Sequence, residues 1–241
     1  MANKKPNRGA SGCCLGCFAL VAVAAGLLTL LLIGSDVGPD GLVGGLVMAC
    51  LPVPLYAGLA LWVDRYEPEP PHLLVVAFIW GASLAVFISY ILNSINASLF
   101  LEATHDAATA SALRGILSAP LVEELSKGLC LFGLFFFKRK EFDGIVDGVV
   151  YATMVALGFA MTENIQYYGS TIKSGADAAG TLFVLRGMLS PYSHPLFTSM
   201  TGIGASLALH HHGAGAKALY VGLGYLAAAV MHMSWNGSPA A

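Results

Sequence analysis

Seven stretches of this chain stay apolar for as long as a helix takes to cross a bilayer, and that property leaves few folds open. A spanning helix needs roughly 20 mainly apolar residues. Such runs lie at Cys13–Gly34, Gly41–Val63, Leu73–Leu101, Leu113–Phe137, Ile145–Tyr168, Leu182–Leu209 and Ala218–Asn236. In lipid every backbone N–H and C=O must be satisfied internally, so these runs read as helices. Composition agrees: 56% of the 241 residues are hydrophobic and 11% charged, less than half the charged share of a soluble domain. The same balance excludes disordered, collagen-like and disulfide-scaffold classes. Nucleic-acid binding is excluded as well, because 12 Lys+Arg against 14 Asp+Glu leave a net charge of -2 and no long basic tract. The expected fold is all-α, a polytopic transmembrane bundle of about seven spans embedded in the lipid bilayer of the cell membrane.

Orientation follows the lysines and arginines, which favour the cytoplasmic side. With the N-terminus inside, that side collects Lys4, Lys5, Arg8, Arg65, Lys138, Arg139, Lys140 and Lys217. The outer side and its membrane ends hold Arg114, Lys173 and Arg186, while Lys127 falls inside a span. The reading is N-terminus in and C-terminus out, with residues 1–12 a cytoplasmic tail and 13–241 a single integral-membrane domain. The Lys4–Arg8 segment before an apolar run resembles a signal peptide. The run is long enough to span, however, and no cleavage site is evident, so an uncleaved first helix is expected. Cys13, Cys14, Cys17, Cys50 and Cys130 form no disulfide framework. Asp64–Pro71 is a proline-stiffened loop before the third run. No inverted pair of broken helices points to a transporter.

The informative residues are the ionisable ones inside the runs, since a charge at the bilayer centre costs at least ~2.5–3.5 kcal/mol. Glu123 and Glu124 are adjacent in the fourth run, Glu163 lies late in the fifth, His194 within the sixth and His232 late in the seventh. At ~1.5 Å per residue, all five fall in the outer half of the bilayer at overlapping depth. Glu123 and Lys127 are i,i+4, so an ion pair between them is expected. Glu124 is rotated by about 100° from Glu123, so one carboxylate can face a water while the other braces a neighbouring helix. Pro191 and Pro195 bracket His194 and should distort its helix. Interhelical hydrogen bonding would explain any one of these residues alone. Three carboxylates and two imidazoles at one depth suit general acid–base chemistry instead.

Together these residues carry a family resemblance. Glu123-Glu124-x-x-Lys127, Phe159-x-x-x-Glu163-Asn164, His194 and His232-x-x-x-Asn236 resemble the PrsW family of intramembrane proteases, related to the type II CAAX prenyl endopeptidases. The Asp64–Pro71 loop, Asp143–Gly148 and Gly158-Phe159-Ala160 resemble PrsW segments too, so the likeness runs over about residues 64–236. CAAX proteases carry arginine where Lys127 stands and histidine where Glu163 stands, so prenyl processing fits less well. The resemblance implies site-1 cleavage of a single-pass membrane protein, such as an anti-sigma factor, ahead of a downstream second-site membrane protease.

Two chemistries fit. In a glutamate-type mechanism, the favoured one, Glu123 activates water, Glu124 orients a histidine, and His232 with Asn236 donates to the oxyanion; no cofactor is required. In a metallo-type mechanism, zinc would be held by His194, His232 and Glu163. No His-Glu-x-x-His helix is present, so that reading rests on ligand types. The competing functions are a proton- or ion-coupled transporter using the same groups as a relay, and a catalytically silent member that binds membrane partners. A relay would want ionisable residues through the whole depth, and the inner half is nearly bare. Arg186 is expected to snorkel to headgroups, Lys138–Lys140 to anchor topology, and His210–His212 to be a polar helix end.

Overall fold

The computed structural model describes residues 8–238, with side chains described from residue 16. Lys4 and Lys5, and the side chains of Arg8, Cys13 and Cys14, lie outside that description. Within it the chain is all-α, with no strand among the described residues. The helices are α1 (Arg8–Cys50), α2 (Val53–Asp64), α3 (Pro71–Ile79), α4 (Val86–Thr104), α5 (Ala107–Leu113), α6 (Ala119–Phe137), α7 (Ile145–Ile172), α8 (Ala176–Phe183), α9 (Ser193–Leu209) and α10 (Ala214–Asn236). Three π-helical turns, Trp80–Ala85, Arg114–Ser118 and Val184–Leu189, join α3 to α4, α5 to α6 and α8 to the start of the α9 approach. Such turns often sit beside functional sites.

Four helical stretches are long and apolar enough to cross a membrane: Gly16–Asp64, Pro71–Thr104, Ile145–Ile172 and Ala214–Asn236. The chain is thus a multi-pass membrane protein. Two breaks divide the first stretch. Gly38 takes φ +78°, a conformation L side chains rarely adopt, and Pro39 after it has no N–H to donate. The second break falls at Leu51-Pro52, where Pro52 caps α2. The run expected at Leu182–Leu209 is not one helix. It stops at Ser190, and α9 restarts at Ser193 with His194 and Pro195 in its first turn, where a missing N–H costs nothing.

The burial pattern is that of a protein solvated by lipid. Leu20, Leu31, Leu55, Leu99, Phe136, Leu226 and Val230 face outward, an apolar belt too extensive for a water-exposed surface. The interior is built around α7, whose Tyr151, Val155, Phe159, Ile165 and Tyr168 are almost fully enclosed. Without a hydrophobic force between helices in lipid, close backbone approach has to supply the packing. Glycines do this where α7 crosses α9: a Cβ on Gly148 would lie 2.6 Å from the Gly202 carbonyl. They do it again where α9 crosses α10, with a Cβ on Gly224 placed 2.6 Å from the Met200 carbonyl. α6 wedges between α9, α10 and the first π turn, its register fixed by Trp80 Nε1 donating to the Ser126 carbonyl at 2.9 Å.

At the end of α7 opposite Glu163, two loops close on one another. Asp147 Oδ2 accepts from the N–H groups of Asp143 (2.9 Å) and Gly144 (2.6 Å), which caps the helix. Asp64 accepts the Glu69 N–H at 3.1 Å, and Tyr151 donates its hydroxyl to Glu69 Oε2 at 2.5 Å. The proline loop is therefore tied to the first turns of α7.

Candidate active site

Four helices bring the singled-out residues to one place. α6 supplies Glu123, Glu124 and Lys127, α7 supplies Phe159, Glu163 and Asn164, α9 supplies His194 and α10 supplies His232 and Asn236. The two imidazole rings stand 5.0 Å apart, nearly perpendicular, and Phe197 stacks on His232.

The adjacent glutamates differ sharply in their partners. Glu124, fully buried, is committed on both oxygens. Its Oε1 takes Lys127 Nζ at 2.6 Å and His232 Nδ1 at 3.0 Å, and its Oε2 takes the Thr198 hydroxyl at 2.8 Å. The ion pair expected between Glu123 and Lys127 is therefore not the one formed. Lys127 turns to the i,i+3 carboxylate because His232 and Thr198 assemble on that side of α6. Glu123 Oε2 is buried with no hydrogen-bond partner, and lies 3.9 Å from His232 Nε2.

Donor chemistry sets the tautomer of each histidine of this network in its neutral form. An ammonium only donates, so His194 Nδ1, 3.1 Å from Lys127 Nζ, accepts. Its Nε2 then carries the proton and donates to Glu163 Oε2 at 3.1 Å. His232 Nδ1 donates to the Glu124 carboxylate, so in the neutral ring its Nε2, which faces Glu123, is an acceptor. Lys127 is also 4.4 Å from the Phe159 ring centroid, a cation–π contact that completes its enclosure.

Arg186 does not snorkel away. From the π turn before α9 its Nη2 donates to Glu163 Oε2 at 2.7 Å, its Nε donates to Asn164 Oδ1 at 2.8 Å, and its guanidinium lies over Tyr167. Asn236, expected to face an oxyanion, donates its amide to the Gly115 carbonyl at 2.9 Å and ties α10 to the second π turn. Sequence reasoning missed Thr198 and the bracing role of Arg186. Thr198 stands one helical turn after His194 on the same face, a spacing that signals it. The His210–His212 tract lies at the far end of α9, where His211 stacks on Tyr220.

These groups open on a cavity of about 840 Å³ lined by Glu123, Glu163, His194, His232, Arg186 and Phe159, together with residues of α1 and α4. Glu123, His194 and His232 each offer a ligand atom within 4.8 Å of the other two. Two imidazoles and a carboxylate are a zinc donor set. Of the three residues expected as ligands, Glu163 is instead engaged by Arg186 and His194, and Glu123 takes its place in the cluster.

The family model for "PrsW family intramembrane metalloprotease" matches residues 69–241. The chain belongs to the PrsW family. Proteins named Protease PrsW from Geobacillus kaustophilus and Clostridioides difficile are 33% and 31% identical over 142 and 153 residues. Those alignments cover 58% and 62% of this chain and 55% and 60% of the relatives, so the chain spans little more than half their length. A Protease PrsW from Oceanobacillus iheyensis is 34% identical over 139 residues, 56% of this chain and 55% of its own. No solved structure matches. The PrsW match begins at Glu69 and so takes in every residue of the cluster.

Proposed function

We propose that this PrsW-family chain is an intramembrane endopeptidase that hydrolyses a peptide bond of a single-pass membrane protein near the outer face of the membrane. The cut is a site-1 step on an anti-sigma-factor-like substrate, ahead of a second-site membrane protease. Seven passes with the N-terminus in and the C-terminus out would put the cluster in the outer half. The observation that carries the reading is the division between the paired glutamates: Glu124 is saturated by Lys127, His232 and Thr198, while Glu123 lines the cavity with Oε2 unpartnered, 3.9 Å from the Nε2 of His232.

In that geometry Glu123 is the base. A water held between Glu123 Oε2 and His232 Nε2 gives its proton to the carboxylate as its oxygen attacks the scissile carbonyl. Glu124 keeps His232 in the tautomer that leaves Nε2 free, as a buried carboxylate orients a catalytic imidazole elsewhere. His194, its proton kept on Nε2 by Lys127, turns that N–H from Glu163 to the developing oxyanion. Glu123 then returns its proton to the leaving nitrogen. The family description and the donor set favour a second version, in which Glu123, His194 and His232 hold zinc. His194 would give up its Nε2 bond to Glu163 and carry its proton on Nδ1 instead, which requires Lys127 to release that nitrogen. Zinc, when bound, polarises water and carbonyl as a Lewis acid.

N-terminal peptide profiling of membranes and medium, from cells carrying the intact chain or Glu123→Gln, tests the activity. New termini near the outer end of single-pass segments should appear only with Glu123; identical profiles from two equally expressed, folded proteins would refute the peptidase. Chelation separates the two chemistries. If zinc is held, a chelator stops cleavage, added zinc restores it, and His232→Ala purifies without the metal. Cleavage that survives chelation leaves the glutamate mechanism.

A further inference from the structure

The part of the cavity lined by α4 carries polar groups that hydrolysis does not use. Serines within helices commonly donate to the carbonyl four residues back. Ser83, Ser94 and Ser98 do so, at 2.6, 2.7 and 3.2 Å. Ser89 does not. Its Oγ is buried on the cavity wall with no hydrogen-bond partner, an arrangement that is costly away from water unless something else satisfies it. Asn93, one helical turn further along α4, lines the same cavity. Its Oδ1 accepts from the Ser118 hydroxyl at 3.1 Å, and Ser118 in turn accepts from Asn96 Nδ2 at 2.7 Å. The oxygen end of the Asn93 amide is thus fixed, while its Nδ2 has no partner among the described residues. Between the two, Tyr90 donates to Asp36 Oδ2 at 3.1 Å and ties α4 to α1 at the rim.

We propose that Ser89 and Asn93 form a subsite that hydrogen-bonds the main chain of an unwound segment of a membrane-spanning polypeptide, in the cavity that Glu123 also lines. The inference rests on the peptidase reading above and adds the conformation in which the substrate is held. A transmembrane helix satisfies its own backbone, and cleavage requires a stretch of it to unwind, which strands N–H and C=O groups with no water to receive them. Ser89 offers a donor and an acceptor, and Asn93 offers a donor. Their positions on α4 are separated by about 6 Å along the axis. Same-side backbone groups of an extended strand recur at ~6.6 Å, so one strand can meet both. A lipid acyl chain would leave both groups unsatisfied. The subsite therefore selects for span segments that unwind at low cost, meaning those with glycine or proline near the cut.

The test uses the full-length protein in vesicles with two synthetic single-pass peptides, one an uninterrupted leucine span and the other with Gly-Pro in its outer third. Each peptide carries one cysteine beside that position. Asn93→Cys is placed in the Glu123→Gln protein, so that disulfide trapping needs no turnover, and Leu99→Cys, on the lipid-facing side of α4, is the control. Asn93→Cys should trap the interrupted peptide at least ~5-fold over the uninterrupted one, and Leu99→Cys should not discriminate. In the active protein, Ser89→Ala with Asn93→Leu should lower kcat/KM on the interrupted peptide about tenfold, mostly through KM. Equal trapping of both peptides by Asn93→Cys, or unchanged kcat/KM in the double variant, overturns the subsite. Selective trapping without any Glu123-dependent cleavage supports the subsite and counts against the peptidase alone.

Discussion

At the scale of single residues, the decisive contrast is between two neighbouring carboxylates of like chemistry and unlike surroundings. Glu124→Gln leaves Lys127 buried without its counter-ion, and breaking a buried pair in this way costs about 3–5 kcal/mol. Glu123→Gln removes no hydrogen bond at Oε2 and should cost clearly less than Glu124→Gln. Thermal unfolding in detergent should therefore separate two variants that are equally dead in cleavage. Adding Lys127→Met to Glu124→Gln should recover much of the lost stability but none of the activity. The identities of these residues were legible because each stands alone on an apolar background. Which glutamate would hold Lys127 was not. The i,i+3 and i,i+4 partners are both within reach of a lysine, and the choice is made by His232 and Thr198, which arrive from distant helices. Arg186 was misread for a related reason: as the start of one continuous span it would face headgroups, and only the break at Ser190 turns it toward Glu163.

At the scale of elements, the long apolar runs were readable from length, and their interruptions only where proline or glycine announced them. Gly38-Pro39 and Pro52 carry such a signal. The three π-helical turns carry none, since an extra residue in a helical turn is set by what packs on it. The helix crossings are equally silent in the sequence, because a glycine that lets two backbones touch looks like any other among 28. The crossings yield a sharp expectation. Gly148→Ala or Gly202→Ala should force α7 and α9 apart, lowering the thermal midpoint by several degrees and cleavage with it, since His194 rides on α9. Gly58→Ala on α2, where an added Cβ meets nothing within 4 Å, is the matched control and should be neutral or mildly stabilising.

At the scale of the whole molecule, α7 links two polar centres, the site at Glu163 and the loop contacts at Asp147. Glu69, outside the spanning stretches, is pushed up to about 7, first by burial and then by the nearby Asp147 and Asp64 carboxylates against the lowering effect of the Tyr151 hydroxyl. A carboxyl raised in the folded state binds its proton more tightly there than in the unfolded chain. Stability is then highest at low pH and falls as pH climbs from about 4.5 through about 7. Thermal midpoints should follow that slope in the parent and lose it in Glu69→Gln. The site also bears on how such a chain is assembled. α6 holds Glu123, Glu124 and Lys127 and is not among the four strongly apolar stretches, and on insertion scales each such charge weighs ~2.5–3.5 kcal/mol against entering lipid alone. Lys127 offsets Glu124 within α6, but the remaining partners of these groups, His194, Thr198 and His232, are translated later. We expect α6 to enter the bilayer stably only with α9 and α10, so a chain truncated before α10 should leave α6 accessible to water-soluble thiol reagents at an introduced cysteine. On the peptidase reading proposed above, the last helix to arrive then completes the cluster as well as the bundle, and no half-built copy of it would be left loose among the proteins of its own membrane.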